Sequence, residues 1–464
     1  MKKFFLISLG CSKNLVDSEQ FFSLFLQLGY KHTSNKKYAD IILINTCGFI
    51  QDAKEEAINT ILDTAELKKK NLKKLIVTGC LVKRYKESLI TEIPEVDVWI
   101  DLKDFEHLKT VLKKKTKSTI QINSQREILT PEHYAYLRIS DGCDNHCSYC
   151  TIPSIRGKLT SEKLENLLKE AQYLADQGVK ELIINAQDTT KYGYDLYGKS
   201  MLIELLKEIE KMKLFPWIRL LYLHPAHLSK KMIEDFKDLK TLLPYFDIPL
   251  QHINSSILKA MNRKIDKETI IENLNFLRQT FPHCAIRTTF ITGFPGESRL
   301  FFAELENFIN DFKFTRLGVF AYSQEEDTPA IHLPRKVLDK TAQKRKDTLM
   351  FNQMSISRIL LSDFVGKTLD VIIDKKIEPE EFSPIDTTTP HGKLMKGFRD
   401  EFIHVFNGRS YLDAPEIDGR VLILVRSKNI KKINTIKKNK ILPGDIVKVK
   451  ILFSLIYDLV GEIL

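Results

Sequence analysis

The chain has 464 residues and a formal net charge of +11 at pH 7, with 43% hydrophobic and 28% charged residues. This composition is ordinary for a folded protein and excludes extended disorder. No stretch approaches the roughly 18 uninterrupted apolar residues of a membrane span, which argues against a membrane partner. Cys11 and Asp17 interrupt the first apolar run before any cleavage site, so we expect a cytoplasmic protein whose cysteines are reduced.

Residues 1–118 alternate short apolar runs with amphipathic helical patterns. This alternation predicts an N-terminal α/β domain, in which helices cover a parallel sheet. The predicted strands are Phe4–Leu9, Asp40–Asn45 and Lys74–Thr78. In open sheets of this kind the functional crevice lies at the carboxyl ends of the strands.

A cysteine with a glycine beside it follows each of these three strands. The cysteines are Cys11, Cys47 and Cys80. A single free cysteine is usually a small buried hydrophobic residue. Because parallel strands end at one edge of a sheet, we expect the three thiols to meet there. Three thiols at equivalent positions favour a metal ion or an iron–sulfur cluster.

A second, compact group of cysteines follows the predicted strand Tyr134–Ser140. Cys143, Cys147 and Cys150 have the spacing CxxxCxxC. Thiolates hold iron–sulfur clusters, and a cubane cluster ordinarily takes four of them. With three, one iron keeps an open position that can chelate the amino and carboxylate groups of a methionine-derived molecule.

The compact group has one competing interpretation, a zinc ion with three cysteines and a histidine. His146 is the nearest histidine in the chain. It is adjacent to Cys147, and two neighbouring residues are awkward partners on one tetrahedral ion. The seventh cysteine, Cys284, has no cysteine near it in the sequence, which favours a structural role.

The strand and helix alternation continues after the compact cysteines, and we assign residues 129–362 to a central domain with a following helical segment. A polar segment, residues 113–132, precedes it. A closed eightfold barrel needs about 250 residues, so six strands over a shorter span predict a partial (β/α)6 barrel. The five further strands are Lys180–Asn185, Trp217–Leu223, Tyr245–Pro249, Ala285–Thr292 and Arg316–Tyr322.

Several polar residues and glycines fall on the carboxyl-end face of this predicted barrel. Gln187 and Asp188 follow its second strand, Gln251 and His252 its fourth, and Gly293 its fifth. A glycine lets the backbone approach a ligand closely. Tyr149, within the compact cysteine group, is placed either to stack on an adenine or to fill space against the barrel.

Residues 363–464 change character, because short strands separated by turn residues replace the alternation with helices. The pattern predicts a small antiparallel β-barrel, a fold that often binds oligonucleotides. Additional material at Glu378–Lys396 lengthens the loops of this region. The predicted strands are Lys367–Asp374, Glu401–Asn407, Arg420–Val425, Asp445–Leu452 and Ile456–Ile463.

Several segments together resemble the methylthiotransferases, a family of radical S-adenosylmethionine enzymes. The general resemblance lies in Ser8–Glu19, Asn45–Ile50 and Gly142–Gly157. Three more segments resemble the branch of the family that modifies a ribosomal protein. They are Pro244–His252, Tyr322–Ala330 and Gly408–Gly419.

The resemblance implies transfer of a methylthio group to the β-carbon of an aspartate in small-subunit ribosomal protein twelve, free or in the ribosomal subunit. It implies two [4Fe–4S] clusters, S-adenosylmethionine and a reductant. The implied cluster ligands are Cys11, Cys47, Cys80, Cys143, Cys147 and Cys150, with no further catalytic side chain. The implied S-adenosylmethionine contacts are Tyr149, Gln187, Asp188 and Gly293. The C-terminal barrel takes the place of the family's TRAM module, which implies an RNA contact.

Two other functions stay open at this point. The first is a tRNA methylthiotransferase that acts on a modified adenosine beside the anticodon, which the net charge of +11 favours. The second is a non-enzymatic iron–sulfur carrier or RNA-binding protein, which would need neither a barrel nor an S-adenosylmethionine site. The segments Pro244–His252 and Gly408–Gly419 favour the branch that modifies a ribosomal protein.

Overall fold

A computed structural model describes residues 1–112, 126–377, 402–426 and 441–464. The additional segment Glu378–Lys396, the end of the first predicted domain at residue 118 and most of the polar segment 113–132 lie outside these described residues. Among the described residues, no helix is long and apolar enough to cross a membrane.

Five parallel strands form a sheet within residues 1–112, in the order β2-β1-β3-β4-β5. The three predicted strands are confirmed to within one or two residues. The short edge strands β2 and β5 escaped prediction because two residues show no periodicity. The strands are β1 (Lys3–Ser8), β2 (Lys31–His32), β3 (Ile41–Thr46), β4 (Lys74–Gly79) and β5 (Val98–Trp99).

Helices cover both faces of this sheet, which is why the whole of β3 is buried. The helices are α1 (Ser12–Gln27), α2 (Gln51–Ala65), α3 (Cys80–Glu92) and α4 (Phe105–Leu112). Phe21 of α1 and Leu108 of α4 pack on one face, and Ile61 of α2 and Leu81 of α3 pack on the other. The carboxyl edge of the sheet is left to the loops that carry the cysteines.

Six parallel strands within residues 126–377 form an open sheet in the linear order β13-β12-β11-β10-β9-β6, which confirms the partial barrel. The strands are β6 (Tyr134–Arg138), β9 (Glu181–Asn185), β10 (Trp217–Leu220), β11 (Leu242–Asp247), β12 (Ala285–Thr292) and β13 (Arg316–Ala321), and a two-residue ladder joins β7 (Ser140–Asp141) to β8 (Thr160–Ser161). The helices are α5 (Ile152–Arg156), α6 (Leu164–Asp176), α7 (Tyr194–Tyr197), α8 (Leu202–Met212), α9 (Lys230–Lys237), α10 (Ser255–Ala260), α11 (Lys267–Thr280), α12 (Arg299–Phe312) and α13 (Asp339–Ser362).

Five strands of the described C-terminal residues close into a barrel in the order β14-β15-β16-β18-β17. The predicted small barrel is confirmed, although its β16–β18 pair is parallel while the other neighbouring pairs are antiparallel. The strands are β14 (Thr368–Ile377), β15 (Phe402–Arg409), β16 (Val421–Arg426), β17 (Ile446–Ser454) and β18 (Leu459–Ile463).

A buried ionic network docks the C-terminal barrel against the amino ends of the central strands. Glu181, the first residue of β9, accepts hydrogen bonds from Arg219 Nε at 2.6 Å and from Arg409 Nη1 at 2.5 Å. Arg409 also binds Asp374 of β14. Apolar residues of both domains, such as Trp217 and Ile373, surround these charges. The carboxyl ends of the central strands therefore face the other way, toward the N-terminal domain.

Replacing Arg409 with methionine should weaken this docking. The substitution leaves the buried carboxylates of Glu181 and Asp374 with one cation fewer, which typically costs about 3–5 kcal/mol. The measurement is urea unfolding followed by Trp217 fluorescence in a Trp99→Phe background, because Trp217 lies in the shared core.

The matched control is Lys448→Met, which removes a surface ion pair with Asp370. Exposed pairs contribute less than about 1 kcal/mol, so the control should unfold like the parent protein. Equal unfolding midpoints for both variants would contradict the structural importance of the network.

Candidate active site

The dispersed cysteines lie at one edge of the N-terminal sheet, as predicted. Cys11 is the residue that precedes α1, Cys47 directly follows β3, and Cys80 begins α3 directly after β4. A Cβ atom built on Gly10 would lie only 3.0 Å from Cys47 Sγ, and the φ of Gly10 is +86°. This glycine lets the chain before Cys11 pass over the thiol of Cys47.

The electrostatics of these thiols suit a shared metal centre. Burial raises the pKa of Cys80 to about 12, with smaller contributions from the nearby thiols of Cys11 and Cys47, while the Arg156 guanidinium acts to lower it. Burial and the proximity of Cys11 also raise the pKa of Cys47. Crowded buried thiolates repel one another unless a cation binds among them. The three thiols, of which Cys80 is buried and Cys11 exposed, form a donor set that fits an iron–sulfur cluster.

The compact cysteines lie in the loop between β7 and α5, at the carboxyl end of the first central strand. Cys150 N donates to the carbonyl of Cys147 at 3.0 Å, which closes a tight turn around the group. Burial raises the pKa of Cys150 to about 12, with a further contribution from Cys147, and burial raises the pKa of Cys143 to about 11. His146 is exposed whereas Cys147 is buried, which argues against one zinc ion that binds both.

A buried arginine that the sequence analysis missed contacts the compact group. Arg263 is 4% exposed, and its Nη1 lies 3.6 Å from Cys147 Sγ. Its Nη2 donates to the carbonyl of Pro249 at 2.5 Å, so the guanidinium is held at the sulfur. A buried cation beside a thiolate stabilises the charged form that metals require. Arg263 lies in a loop without periodicity, so no sequence pattern marked it.

Arg156, the last residue of α5, connects the two cysteine groups. Its Nη2 donates to Asp17 Oδ2 at 2.9 Å and lies 3.8 Å from Cys80 Sγ. Its Nη1 donates to Asp141 Oδ1 at 3.2 Å. Asp17 belongs to α1 and also binds Arg138 at the end of β6. A single guanidinium therefore joins the dispersed thiols to the loop that carries the compact ones.

A second contact between the domains holds the loop of Cys47. Arg84 Nη1 donates to the carbonyl of Gly48 at 2.8 Å and to Glu325 Oε2 at 2.8 Å. Glu325 is buried in the loop after β13 and also binds Lys54 of α2 at 3.0 Å. The position of Cys47 thus depends on the far edge of the central sheet as well as on its own strand.

The polar residues predicted after the second central strand have different surroundings. Gln187 Nε2 donates to Asp141 Oδ1 at 2.8 Å, while its Oε1 is buried without a hydrogen bond from the described residues. Asp188 accepts hydrogen bonds from Asn145 Nδ2 at 2.7 Å and from Thr190 N at 3.1 Å. Asp188 therefore braces the loop between Cys143 and Cys147, and Gln187 keeps a free acceptor.

Tyr149 lies at a cleft of about 600 Å³ between the N-terminal domain and the central sheet, and Gly293 directly follows β12, whose Ile291 lines the same cleft. Tyr149 lines the cleft and packs against the apolar cluster around Phe294. The φ of Gly293 is +76°, and a Cβ atom there would lie 2.2 Å from Ala342 Cβ of α13. The packing of α13 is therefore one reason for this glycine. Gln251 also lines the cleft with a φ of +73°, which is a strained conformation for its type.

The first turns of α1 carry polar residues on a buried face, which the sequence analysis did not single out. Lys13, Asn14, Asp17 and Ser18 are all buried. Burial lowers the pKa of Lys13 to about 8, while the nearby Cys11 acts to raise it. Spacings of three and four residues place such groups on one side of a helix. This polar periodicity is the sequence pattern that could have indicated a buried polar face on α1.

Three family models cover most of the chain. The model described as Uncharacterized protein family UPF0004 matches residues 3–101, that of the Radical SAM superfamily matches residues 137–309, and that of the TRAM domain matches residues 399–464. The compact cysteines fall within the second match. The chain is therefore a radical S-adenosylmethionine enzyme with an additional N-terminal domain and a C-terminal TRAM domain.

Full-length relatives give the particular family. The chain is 42% identical to the ribosomal protein uS12 methylthiotransferase RimO of Clostridioides difficile (strain 630), over 100% of this chain and 99% of that protein. It is 44% identical to the protein of the same name from Caldanaerobacter subterraneus subsp. tengcongensis, over 100% of both chains. The chain belongs to the family of ribosomal protein uS12 methylthiotransferases, RimO.

A solved structure shares the fold. TsrM from Kitasatospora setae, a radical S-adenosylmethionine methyltransferase with cobalamin and a [4Fe–4S] cluster bound, superposes with a TM-score of 0.52 at 11% identity. The match covers 71% of this chain and 77% of that chain. The predictions that the chain is a methylthiotransferase and an enzyme are confirmed. The relatives favour neither the tRNA-modifying alternative nor the non-enzymatic carrier.

The cysteine assignments predict the iron content of the reconstituted protein. Two cubane clusters correspond to about eight irons per chain. The triple variant Cys143→Ala, Cys147→Ala, Cys150→Ala should retain about four, because the other three thiols lie on a separate domain. Iron and sulfide analysis together with absorption spectra provides the measurement.

Cys284→Ala is the control for this experiment. Cys284 directly precedes β12, at the opposite end of the sheet from the compact cysteines. The control should keep the full iron content. Full iron in the triple variant, or loss of iron in the control, would show that the ligands are assigned wrongly.

Proposed function

We propose that this chain attaches a methylthio group to the β-carbon of an aspartate in ribosomal protein uS12. One observation carries the proposal: Arg156 joins Cys80 of the dispersed group to Asp141, two residues before Cys143 of the compact group, in a chain of the uS12 methylthiotransferase family. The β-hydrogen of an aspartate is too weakly acidic for a side-chain base to remove. Such a bond calls for radical chemistry, which belongs to a cofactor while the protein supplies placement.

In this proposal Cys143, Cys147 and Cys150 hold one [4Fe–4S] cluster, and Cys11, Cys47 and Cys80 hold the other. When bound, the two clusters and S-adenosylmethionine supply the electron, the hydrogen-abstracting radical, the sulfur and the methyl group. Support comes from the donor sets, since each group offers three free thiols, of which only Cys11 is exposed, and lacks a fourth cysteine among the described residues.

Two arginines prepare these thiols for their role. Arg263 faces the sulfur of Cys147, and Arg156 faces the sulfur of Cys80. Both guanidinium groups are buried, so their attraction for a thiolate is weakly screened by water. They favour the deprotonated ligands and fix each sulfur relative to the strand ends.

The proposed S-adenosylmethionine contacts are Tyr149, Gln187, Asp188 and Gly293. The free Oε1 of Gln187 can accept a hydrogen bond from an ammonium or hydroxyl group. Tyr149 presents a ring at the cleft wall. The carboxylate of Asp188 accepts a hydrogen bond from Asn145 Nδ2 at 2.7 Å and lies 2.9 Å from His227 Nδ1, which fixes its position for such a contact.

The proposal extends to the partners and the compartment. A uS12 substrate, free or in the small ribosomal subunit, places the enzyme in the cytoplasm. The TRAM domain match and the net charge of +11 support an RNA contact by the C-terminal barrel, which suits a ribosomal particle. A reductant must supply electrons to the compact site.

Deleting the gene should abolish the methylthio modification of uS12 and leave tRNA unchanged. The measurement is mass spectrometry of purified uS12 and of digested tRNA from deletion and parent cells, with complementation by the wild-type gene as the control. Loss of the methylthio mass from tRNA with uS12 unchanged would instead identify the chain as a tRNA methylthiotransferase.

Replacing Arg84 with methionine should uncouple the two sites. The variant loses the contacts that hold the loop of Cys47 against Glu325, and misplacement by about 1 Å can cost about 10²-fold in rate. Formation of 5′-deoxyadenosine should persist, because the compact cysteines are untouched, while methylthiolated uS12 falls. Both products are measured in one assay by chromatography and mass spectrometry.

Lys68→Met serves as the control for the Arg84 variant. It removes a partly exposed pair with Asp97 in the same domain, away from the cysteines. Its product ratio should match the wild type. An Arg84 variant with an unchanged ratio of uS12 product to 5′-deoxyadenosine would rule out this role for the contact.

A further inference from the structure

We infer that Lys13 recognises the carboxylate of the substrate aspartate and thereby selects a protein substrate over a nucleoside. The inference rests on the proposed function and names a specificity residue for the same site. Lys13 lies two positions after Cys11 in α1, and its side chain reaches toward the carboxyl end of β10.

The side chain of Lys13 is buried without an anionic partner of its own. The residue is 6% exposed, and its Nζ lies 3.0 Å from the centroid of the Tyr222 ring. Within the described ranges, its Nζ makes no hydrogen bond and no ion pair. Lysines are almost never fully buried unless paired, and the Tyr222 ring replaces only part of the hydration that a buried ammonium loses. The missing partner is therefore expected to come from a ligand.

The acidic groups nearest to Lys13 are occupied by other donors. Asp247 Oδ1 accepts from Arg287 Nη1 at 2.9 Å, and its Oδ2 accepts from Tyr222 N at 3.0 Å. Asp141 accepts from Arg156 and Gln187. These carboxylates make the surroundings of Lys13 favourable for a cation while leaving its three N–H donors unused.

The position of Lys13 fits the reacting atoms of an aspartate. The ammonium group lies over Tyr222, just after the carboxyl end of β10, and belongs to the helix that begins directly after Cys11. The carboxylate carbon of an aspartate is bonded directly to the β-carbon that reacts. A charge-assisted hydrogen bond from Nζ would hold this carbon in place. An adenosine has no carboxylate to satisfy the same ammonium.

A different role for Lys13 would be to balance the negative charge of the neighbouring thiolate of Cys11. That role predicts altered iron content or altered cluster spectra on substitution, with no change in the preference among substrates. Recognition of the substrate predicts unchanged iron content and cluster spectra, together with a changed preference among substrates. The preference for a carboxylate over an amide is therefore the decisive measurement.

The experiment compares reconstituted wild-type, Lys13→Gln and Lys13→Arg enzymes on two substrates, uS12 and uS12 whose target aspartate is replaced by asparagine. The wild type should prefer the aspartate substrate by about 10- to 10²-fold in kcat/KM, the usual effect of a hydrogen bond to a charged group. In Lys13→Gln, kcat/KM on the aspartate substrate should fall by about 10- to 10²-fold. The ratio of kcat/KM on the aspartate substrate to that on the asparagine substrate should then be about one. Lys13→Arg should retain a preference for aspartate because it keeps the charge.

Lys83→Gln is the control, since Lys83 is an exposed lysine of α3. It should behave as the wild type, and all variants should keep their iron and form 5′-deoxyadenosine. An unchanged preference for aspartate in Lys13→Gln would overturn the inference. So would loss of iron from Lys13→Gln together with a Lys13→Arg variant that keeps its iron but shows no preference for aspartate. Failure of the wild type to modify uS12 would overturn the proposed function instead.

Discussion

The Arg156 guanidinium is the contact on which the rest of the site depends. It is buried between α1 and the central barrel, with Asp17 on one side, Asp141 on the other and Cys80 Sγ at 3.8 Å. A buried ion pair is stable only when every charge is matched, so removing Arg156 would leave two buried carboxylates without their shared cation. This guanidinium therefore ties α1 and Cys80 of the N-terminal domain to Asp141, which precedes the compact cysteines, through charges that must stay matched.

A second buried ionic network holds the C-terminal barrel against the opposite end of the central sheet. There Arg409 and Arg219 share the carboxylate of Glu181, and the C-terminal barrel closes the amino ends of the strands. Parallel barrels place chemistry at the carboxyl ends and stability at the amino ends. This chain follows that division, because ionic networks lie at both ends of the central strands while the compact cysteines lie only at the carboxyl ends. The C-terminal barrel is consequently distant from the strand ends that carry the compact cysteines.

The buried cationic side chains around the cysteines contact different kinds of group. Arg263 and Arg156 are directed at sulfur atoms, where they favour thiolate ligands. Lys13 is directed at the ring of Tyr222 and has no anion of its own in the described chain. Arginine binds in fixed planar geometry, whereas the ammonium of lysine is a compact charge on a flexible stem. That difference suits permanent contacts for the two arginines and a transient substrate contact for the lysine.

Local patterns were sufficient for most of the fold and for the cysteines. The apolar pattern located β12 to the residue, and the rule that parallel strands end together placed Cys11 with Cys47 and Cys80. Both predictions depend on short-range geometry. Arg263 and Glu325 escaped because their partners are remote in sequence and lie in loops without a repeating pattern. Which charges are buried, and against what, is decided by the docking of domains, since only packed surfaces exclude the water that would otherwise screen them.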